Sequence, residues 1–452
     1  MHPITASPPT ERSVLDRDAL VAWYRRNRER SRALFDLLDE QAYYTKPISL
    51  RHPIVFYEGH LPAFSFNTLV KRALGGASID SRLESLFARG IDPSDESAAA
   101  ARPELQWPAR DAVREFGKEA DRQVLNALAH ADLDRPGDLL LDRAEAVFTI
   151  LEHEAMHQET LLYMWHRLGF DRKRRPADYR PRIDGAVPRQ EWMSIPRGRA
   201  TLGVDRTSVP FGWDNELPSS TADVGAFAIE RHDVTNAAFL EFVEAGGYED
   251  ERWWQADDRA WLEQDRIRHP LFWERQGSQW QWRGMFELVP LPLAWPVYVS
   301  QAEATAYARW RGARLATEAE FQRAAFGAPD GIERQHPWGD TPPDSRHGVF
   351  DFTSWDPEPV GSHPAGRSAW GVDDLVGNGW EWTSTPFAPF AGFRPMASYP
   401  EYSADFFDGE HFVIKGASPA TARELIRPSF RNWFRGRYPY VYATFRCVKD
   451  AR

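Results

Sequence analysis

Apolar positions recur at helical spacing through the first 170 residues of the chain. Leu20, Trp23, Tyr24, Leu34, Phe35 and Leu38 mark one amphipathic stretch, and Val113, Phe116, Ala120, Val124 and Leu128 mark another. Between them, Ile54 to Leu74 keeps a helical pattern with Pro62 as a kink, and a fourth helix is expected from about Leu139 to Leu168. Four such helices joined by polar loops predict a four-helix bundle. The segment DRKRRPADYRPRIDGAVPRQ, Asp171 to Gln190, is basic and proline-containing, which predicts a linker running over the surface. After Trp192 the pattern changes to short β-prone runs with many glycines, prolines and tryptophans, and only Thr235 to Glu244 and Ala302 to Phe326 keep a helical period. The expected fold class is therefore α+β, divided into a helical domain (1–170), a linker (171–190) and a mixed domain (191–452).

Composition narrows the function classes. No apolar run approaches the length of a membrane span, and the start of the chain, MHPITASPPTERS, has no apolar segment of the secretory kind. A single cysteine, Cys447, excludes an internal disulfide and suits a reducing cytoplasm. The net charge of −11 argues against a general nucleic-acid binder, so small molecules are the expected partners, with neither nucleic acid nor membrane. The 19 tryptophans supply core, and at that density they also make good walls for a small cationic ligand.

The candidate chemistry lies in the fourth helix. His153-Glu154-Ala155-Met156-His157 puts two imidazoles one turn apart on a single face, able to reach one metal ion. A third ligand is needed. His60, in Tyr57-Glu58-Gly59-His60-Leu61-Pro62, sits on an early helix able to face the fourth, with a glycine and a proline that permit close approach and local distortion. A histidine-only site suits iron, zinc or copper. The same run spells the H-E-x-x-H signature of zinc hydrolases. That reading requires Glu154 as general base and usually a further downstream ligand, but no H-x-x-G-x-x-H extension follows, and Glu154 points about 100° around the helix from His153. A non-catalytic ligand-binding protein is a third reading.

A bundle with His60 in EGHLPAF and His153 and His157 in HEAMHQET, followed by a tryptophan-rich domain, resembles the ergothioneine-type sulfoxide synthases. The resemblance continues through PFGWDNELP, DVTNAAFLEFVEAGGY, PVYVSQAEATAYARWRGARLATEAEFQRAA, GVDDLVGNGWEWT and IRPSFRNWF, and it covers nearly the whole chain. It implies a DinB-like bundle followed by a formylglycine-generating-enzyme-like, C-type-lectin-like domain. It also implies an Fe(II), O2-dependent reaction joining sulfur or selenium to C2 of the imidazole of hercynine. On the same resemblance His60, His153 and His157 hold the iron. Tyr399 and Tyr402 of YPEYSADFF belong to a loop in which one tyrosine supplies a proton or electron during oxygen activation. Asn432 and Trp433 line the substrate pocket. A sulfatase-activating oxidase, which the second domain also resembles, relies on a pair of cysteines and fails on the count of one.

Departures from the family pattern bear on the donor. Members that use γ-glutamylcysteine are expected to carry an acidic residue after the Asn-Trp pair and a basic one four positions on, where this chain has Phe434 and Tyr438, with Arg435 and Arg437 out of register. Members that use free cysteine carry tyrosines in the loop after the first histidine, and Leu86-Phe87-Ala88-Arg89-Gly90-Ile91-Asp92 has none. Met156 replaces a glutamine before the third ligand. These substitutions resemble the selenoneine synthase branch, so a selenosugar donor is expected ahead of cysteine or γ-glutamylcysteine.

Overall fold

The computed structural model describes residues 15–88 and 105–451. Of the tyrosine-free stretch 86–92, only residues 86–88 fall within that range. The helical half contains α1 (Arg17–Asp36), α2 (Ile54–Ser65), a short α3 (Ser81–Leu86), α4 (Arg110–His130) and α5 (Glu145–Arg167). α1 starts at Asp16, whose carboxylate accepts from the Ala19 N–H at 3.0 Å and satisfies one of the helix's free donors. α2 contains Pro62 and passes at Phe66 into π-helical turns that run to Ala73, so the expected single helix is two forms of helix in series. α5 begins later than the apolar pattern implied, because Arg143 and Ala144 adopt φ of 57° and 55° and break the ladder before Glu145. α5 is buried almost all round, as a central bundle helix must be.

The segment expected as a surface linker is irregular but not wholly superficial. Lys173 is buried and donates to the carbonyls of Trp165 at 2.8 Å and Met285 at 2.6 Å, while Tyr179 is buried and donates to Asp356 at 2.6 Å. Two tethers therefore pin this stretch between the helices and the second half of the chain.

Beyond it lie short strands in several small sheets. β1 (Trp192–Ile195) and β2 (Gly198–Leu202) precede β3 (Ser220–Val224) and β4 (Phe227–Glu230), and β5 (Trp273–Gln276), β6 (Gln279–Arg283) and β7 (Leu288–Pro290) form a meander. The sheet that positions the site has the order β11-β10-β9-β12, where β9 is Gly379–Pro386, β10 His411–Ala417, β11 Asn432–Arg435 and β12 Ala443–Thr444. The helical period read over Ala302 to Phe326 proves to be two helices, Gln301–Trp310 and Glu318–Phe326. Gly312, at φ +64°, turns the chain between them into a short strand, β8 (Arg314–Leu315), which pairs with Cys447 and Val448. The α+β class expected from the pattern is the observed one. No helix among the described residues is long and apolar enough to cross a membrane.

Candidate metal centre and the cavity around it

His153 and His157 project from one face of α5 toward α2, where His60 faces them. One nitrogen from each of the three rings lies within 4.8 Å of the others. Ring centres are 4.4 Å apart for His153 and His157, 5.2 Å for His60 and His153, and 5.1 Å for His60 and His157. His60 Nδ1 lies 2.9 Å from the Phe87 carbonyl oxygen, which can only accept, so Nδ1 carries the proton and Nε2 is the unprotonated nitrogen, the one able to bind a metal. Gly59 makes this possible, because a Cβ there would lie 2.5 Å from the Phe87 ring. Phe64 stacks on His153 at 3.5 Å and Phe56 on His60 at 4.9 Å, which fixes the ring planes by packing.

Neither ring nitrogen of His153, nor Nδ1 of His157, has a hydrogen-bond partner among the described residues. Buried polar atoms are rarely left that way without a ligand to meet them. Burial pushes both imidazoles well below their usual pKa, helped by the neighbouring histidines and, at His157, by the charge of Arg51. They are therefore neutral, which is the form that binds a metal. Three imidazoles converging on one point, two of them held neutral and with orphaned nitrogens, fit a metal ion of the iron, zinc or copper kind.

A cavity of about 400 Å³ opens beside the three histidines, between the helices and the β11-β10-β9-β12 sheet. Met156, Tyr399, Tyr402, Asn432, Trp433, Phe434 and Tyr438 all line it. The Tyr399 ring lies 5.9 Å from His153 and 5.2 Å from Phe64. Tyr402 stacks on Trp213 at 4.0 Å and donates to the Met156 Sδ at 3.2 Å. Burial, with Glu216, Asp214 and Glu152 nearby, holds its phenol well above the usual value, so it stays protonated. β11 is an edge strand whose register sets Asn432 opposite Ile414, Trp433 opposite Val413 and Phe434 opposite Phe412. Trp433 stacks on Phe387 at 4.2 Å, and the Asn432 side-chain Oδ1 accepts from the Trp433 backbone N–H at 2.9 Å. Phe434 and Tyr438 stack in parallel, 5.5 Å apart and 8° from coplanar.

The zinc-hydrolase reading fails on the orientation of Glu154. Its carboxylate turns away toward α1 and accepts from Arg28 and from Ser31, both at 2.7 Å, and it does not line the cavity. A general base must reach the metal-side water, and this one is spent inside the bundle.

Arg51, Tyr163 and the role of Glu159 escaped the sequence reading. The Arg51 Nε donates to the Tyr438 hydroxyl at 2.9 Å, and its guanidinium lies 5.3 Å and 5.5 Å from the Tyr438 and Tyr163 ring centres. No local signal marks this contact, since 387 residues separate the partners. Arg435 lines the cavity, whereas Arg437 lies outside it, paired with Asp258 at 2.8 Å. Glu159 borders the cavity and accepts from Ser418 at 2.6 Å, Trp380 at 2.7 Å and Thr421 at 3.1 Å. A signal for it existed, because Glu145, Glu152 and Glu159 repeat every seven residues along α5.

Comparison with known proteins accords with this architecture. Residues 182–451 match the family model of the sulfatase-modifying factor enzyme 1-like domain, and residues 24–161 match that of the DinB superfamily. The hercynine oxygenase of Mycobacterium tuberculosis is 36% identical over 373 residues, covering 80% of this chain and 82% of its own. That of Mycolicibacterium smegmatis is 36% identical over 298 residues, covering 63% of this chain and 67% of its own. Ergothioneine biosynthesis protein 1 of Neurospora crassa is 27% identical over 518 aligned positions, covering 92% of this chain and 56% of its own length.

Proposed function

This chain belongs to the ergothioneine-type sulfoxide synthase family, that of the hercynine oxygenases, and from that premise we propose that it is a non-haem Fe(II), O2-dependent oxidoreductase forming a carbon–chalcogen bond at C2 of the imidazole of hercynine. The observation that carries the reading is the three-histidine cluster, with orphaned nitrogens on His153 and His157, at the end of an aromatic-walled cavity. Bound by His60, His153 and His157, ferrous iron would supply the redox chemistry that activates O2. The protein's own groups do the rest. Aromatic faces suit the trimethylammonium of hercynine, which has no N–H to donate and is attracted to ring quadrupoles. Tyr399 and Tyr402 both border the cavity and one of them is the proton or electron source, a role open to a phenol that keeps its proton, as Tyr402 does. Asn432, Trp433 and Met156 contact the substrate. The lone buried Cys447 accords with a cytoplasmic setting.

The donor we favour is a selenosugar. Where an amino-acid head group would need an acid and a base in register, this cavity offers the parallel Phe434–Tyr438 pair, a surface that stacks on a sugar ring. A thiol donor, cysteine or γ-glutamylcysteine, is the second reading, and the Arg51 guanidinium beside Tyr438 is the feature that favours it, as a partner for a carboxylate. Iron-loaded protein incubated with hercynine, O2 and either a selenosugar or cysteine distinguishes them by mass spectrometry. Product from the selenosugar alone is the expected result. Product only from the thiol assigns the second reading, and hercynine recovered with no O2 consumed, on an oxygen electrode, would reduce the chain to a binding protein.

A further inference from the structure

We infer that Ser398 is a positioning residue that references the Tyr399 phenol to the histidine centre through the two helices that carry the histidines. The inference rests on the reading of Tyr399 as a proton or electron source. Along α5, Glu145, Thr149, His153 and His157 follow one another at intervals of four, so they form a single row on one face. The lower two positions carry the candidate metal ligands, and the upper two grip the loop that bears the tyrosines. Ser398 N–H and O–H both donate to the same oxygen of Glu145, at 3.1 Å and 2.9 Å. The Thr149 hydroxyl lies 2.8 Å from that of Ser398. From the other side Arg72, on the π-helical continuation of the helix that carries His60, donates to the carbonyls of Ser398 and Ala397, both at 3.2 Å.

Every polar group of Ser398 is thus engaged, and both Ser398 and Thr149 are completely buried. A buried loop serine whose amide, hydroxyl and carbonyl all bind histidine-bearing helices leaves the next residue little freedom. That next residue is Tyr399, whose ring packs against His153 and Phe64. A proton donor acts only from the right distance, and a displacement on the order of 1 Å at such a group costs roughly a hundredfold in rate. The clamp therefore acts through Tyr399 and touches neither substrate nor metal.

The test compares Ser398→Ala, Thr149→Val, Thr149→Ser and Tyr399→Phe in the full-length protein. With iron, hercynine, O2 and each of a selenosugar and cysteine, Ser398→Ala and Thr149→Val are expected to lower the carbon–chalcogen product roughly ten- to a hundredfold. Turnover is redirected toward oxidation of the donor, as in Tyr399→Phe, while KM for hercynine and iron content stay at wild-type levels. Thr149→Ser, which keeps the hydroxyl, restores the wild-type product ratio. In metal-free protein, amide hydrogen exchange over residues 396–402 rises in Ser398→Ala and Thr149→Val and not in Thr149→Ser. Should Ser398→Ala fail to fold, the isosteric Thr149 pair carries the test. Wild-type product ratios in Ser398→Ala and Thr149→Val, alongside an altered ratio in Tyr399→Phe, overturn the clamp. An unaltered ratio in Tyr399→Phe as well overturns the assignment of Tyr399 on which the clamp depends.

Discussion

His157 shows how much of the site is a matter of single atoms. Its Nδ1 has no partner among the described residues, and its ring is 5.1 Å from His60 and 4.4 Å from His153. His157→Ala should remove most bound iron, measured by elemental analysis after purification. Full iron occupancy in that variant would show that the ligand assignment is wrong. The same burial makes stability depend on pH in the metal-free protein. His153 and His157 have folded-state pKa values well below the ordinary 6.5, so as pH falls the unfolded chain takes up protons that the fold refuses. Stability is complete above the unfolded value and declines below it, by up to roughly 1.4 kcal/mol per pH unit for each histidine. Denaturant midpoints of chelator-treated protein should fall steadily as pH drops from about 6.5. A flat profile there would mean that the imidazoles are not held neutral.

At the scale of one element, α5 solves several problems with different faces of a single cylinder. Glu154 looks into the bundle toward Arg28 and Ser31, and the row containing His153 and His157 faces α2. A third row, Glu152, Glu159 and His166, repeats every seven residues from Glu145, where it diverges from the histidine row, and meets the second half of the chain. Glu152 accepts from Arg427 at 2.8 and 2.9 Å and from the Trp213 indole at 2.8 Å, and His166 lies 3.1 Å from the Tyr442 hydroxyl. A seven-residue repeat drifts by only about 20° around a straight helix, so such a row stays on one side for three turns or more. Glu152→Ala would leave the largely buried Arg427 with Glu216 as its remaining carboxylate partner. The expected cost is about 2 kcal/mol, that of lost hydrogen bonds to a charged group, read as a shift in the denaturant midpoint. A change within about 0.5 kcal/mol would show that the row adds nothing to docking.

Over the whole molecule, the cavity beside the histidines exists only because the two halves are joined. Histidines come from the bundle, and the tyrosine loop and β11 come from the sheet-containing half. Sixteen of the 19 tryptophans follow residue 170, whereas the long helices precede it. Tryptophan fluorescence therefore reports mainly on one half, and far-UV circular dichroism is weighted toward the other. Because α5 is tied to the second half by buried carboxylates, both probes should give one coincident unfolding transition. Two separated transitions would mean that the halves unfold independently and that the shared cavity contributes little to stability.

The sequence by itself determined whatever depends on local periodicity. Histidines four apart on a helix share a face regardless of what surrounds them, so His153 and His157 were legible as a pair, and the switch from a helical period to short β-prone runs announced an α+β chain. Gly59 next to His60 was legible as a point of close approach. Only the tertiary structure decided which face meets which partner. The direction of Glu154 required knowing where Arg28 and Ser31 lie, and the Arg51–Tyr438 contact joins positions 387 residues apart. The division of Ala302 to Phe326 into two helices required the pairing of Arg314 and Leu315 with the distant strand at Cys447 and Val448. A repeat in the chain states which side chains stand together on one element. Their partners are chosen by packing and hydrogen bonding across the fold, where sequence distance carries no information.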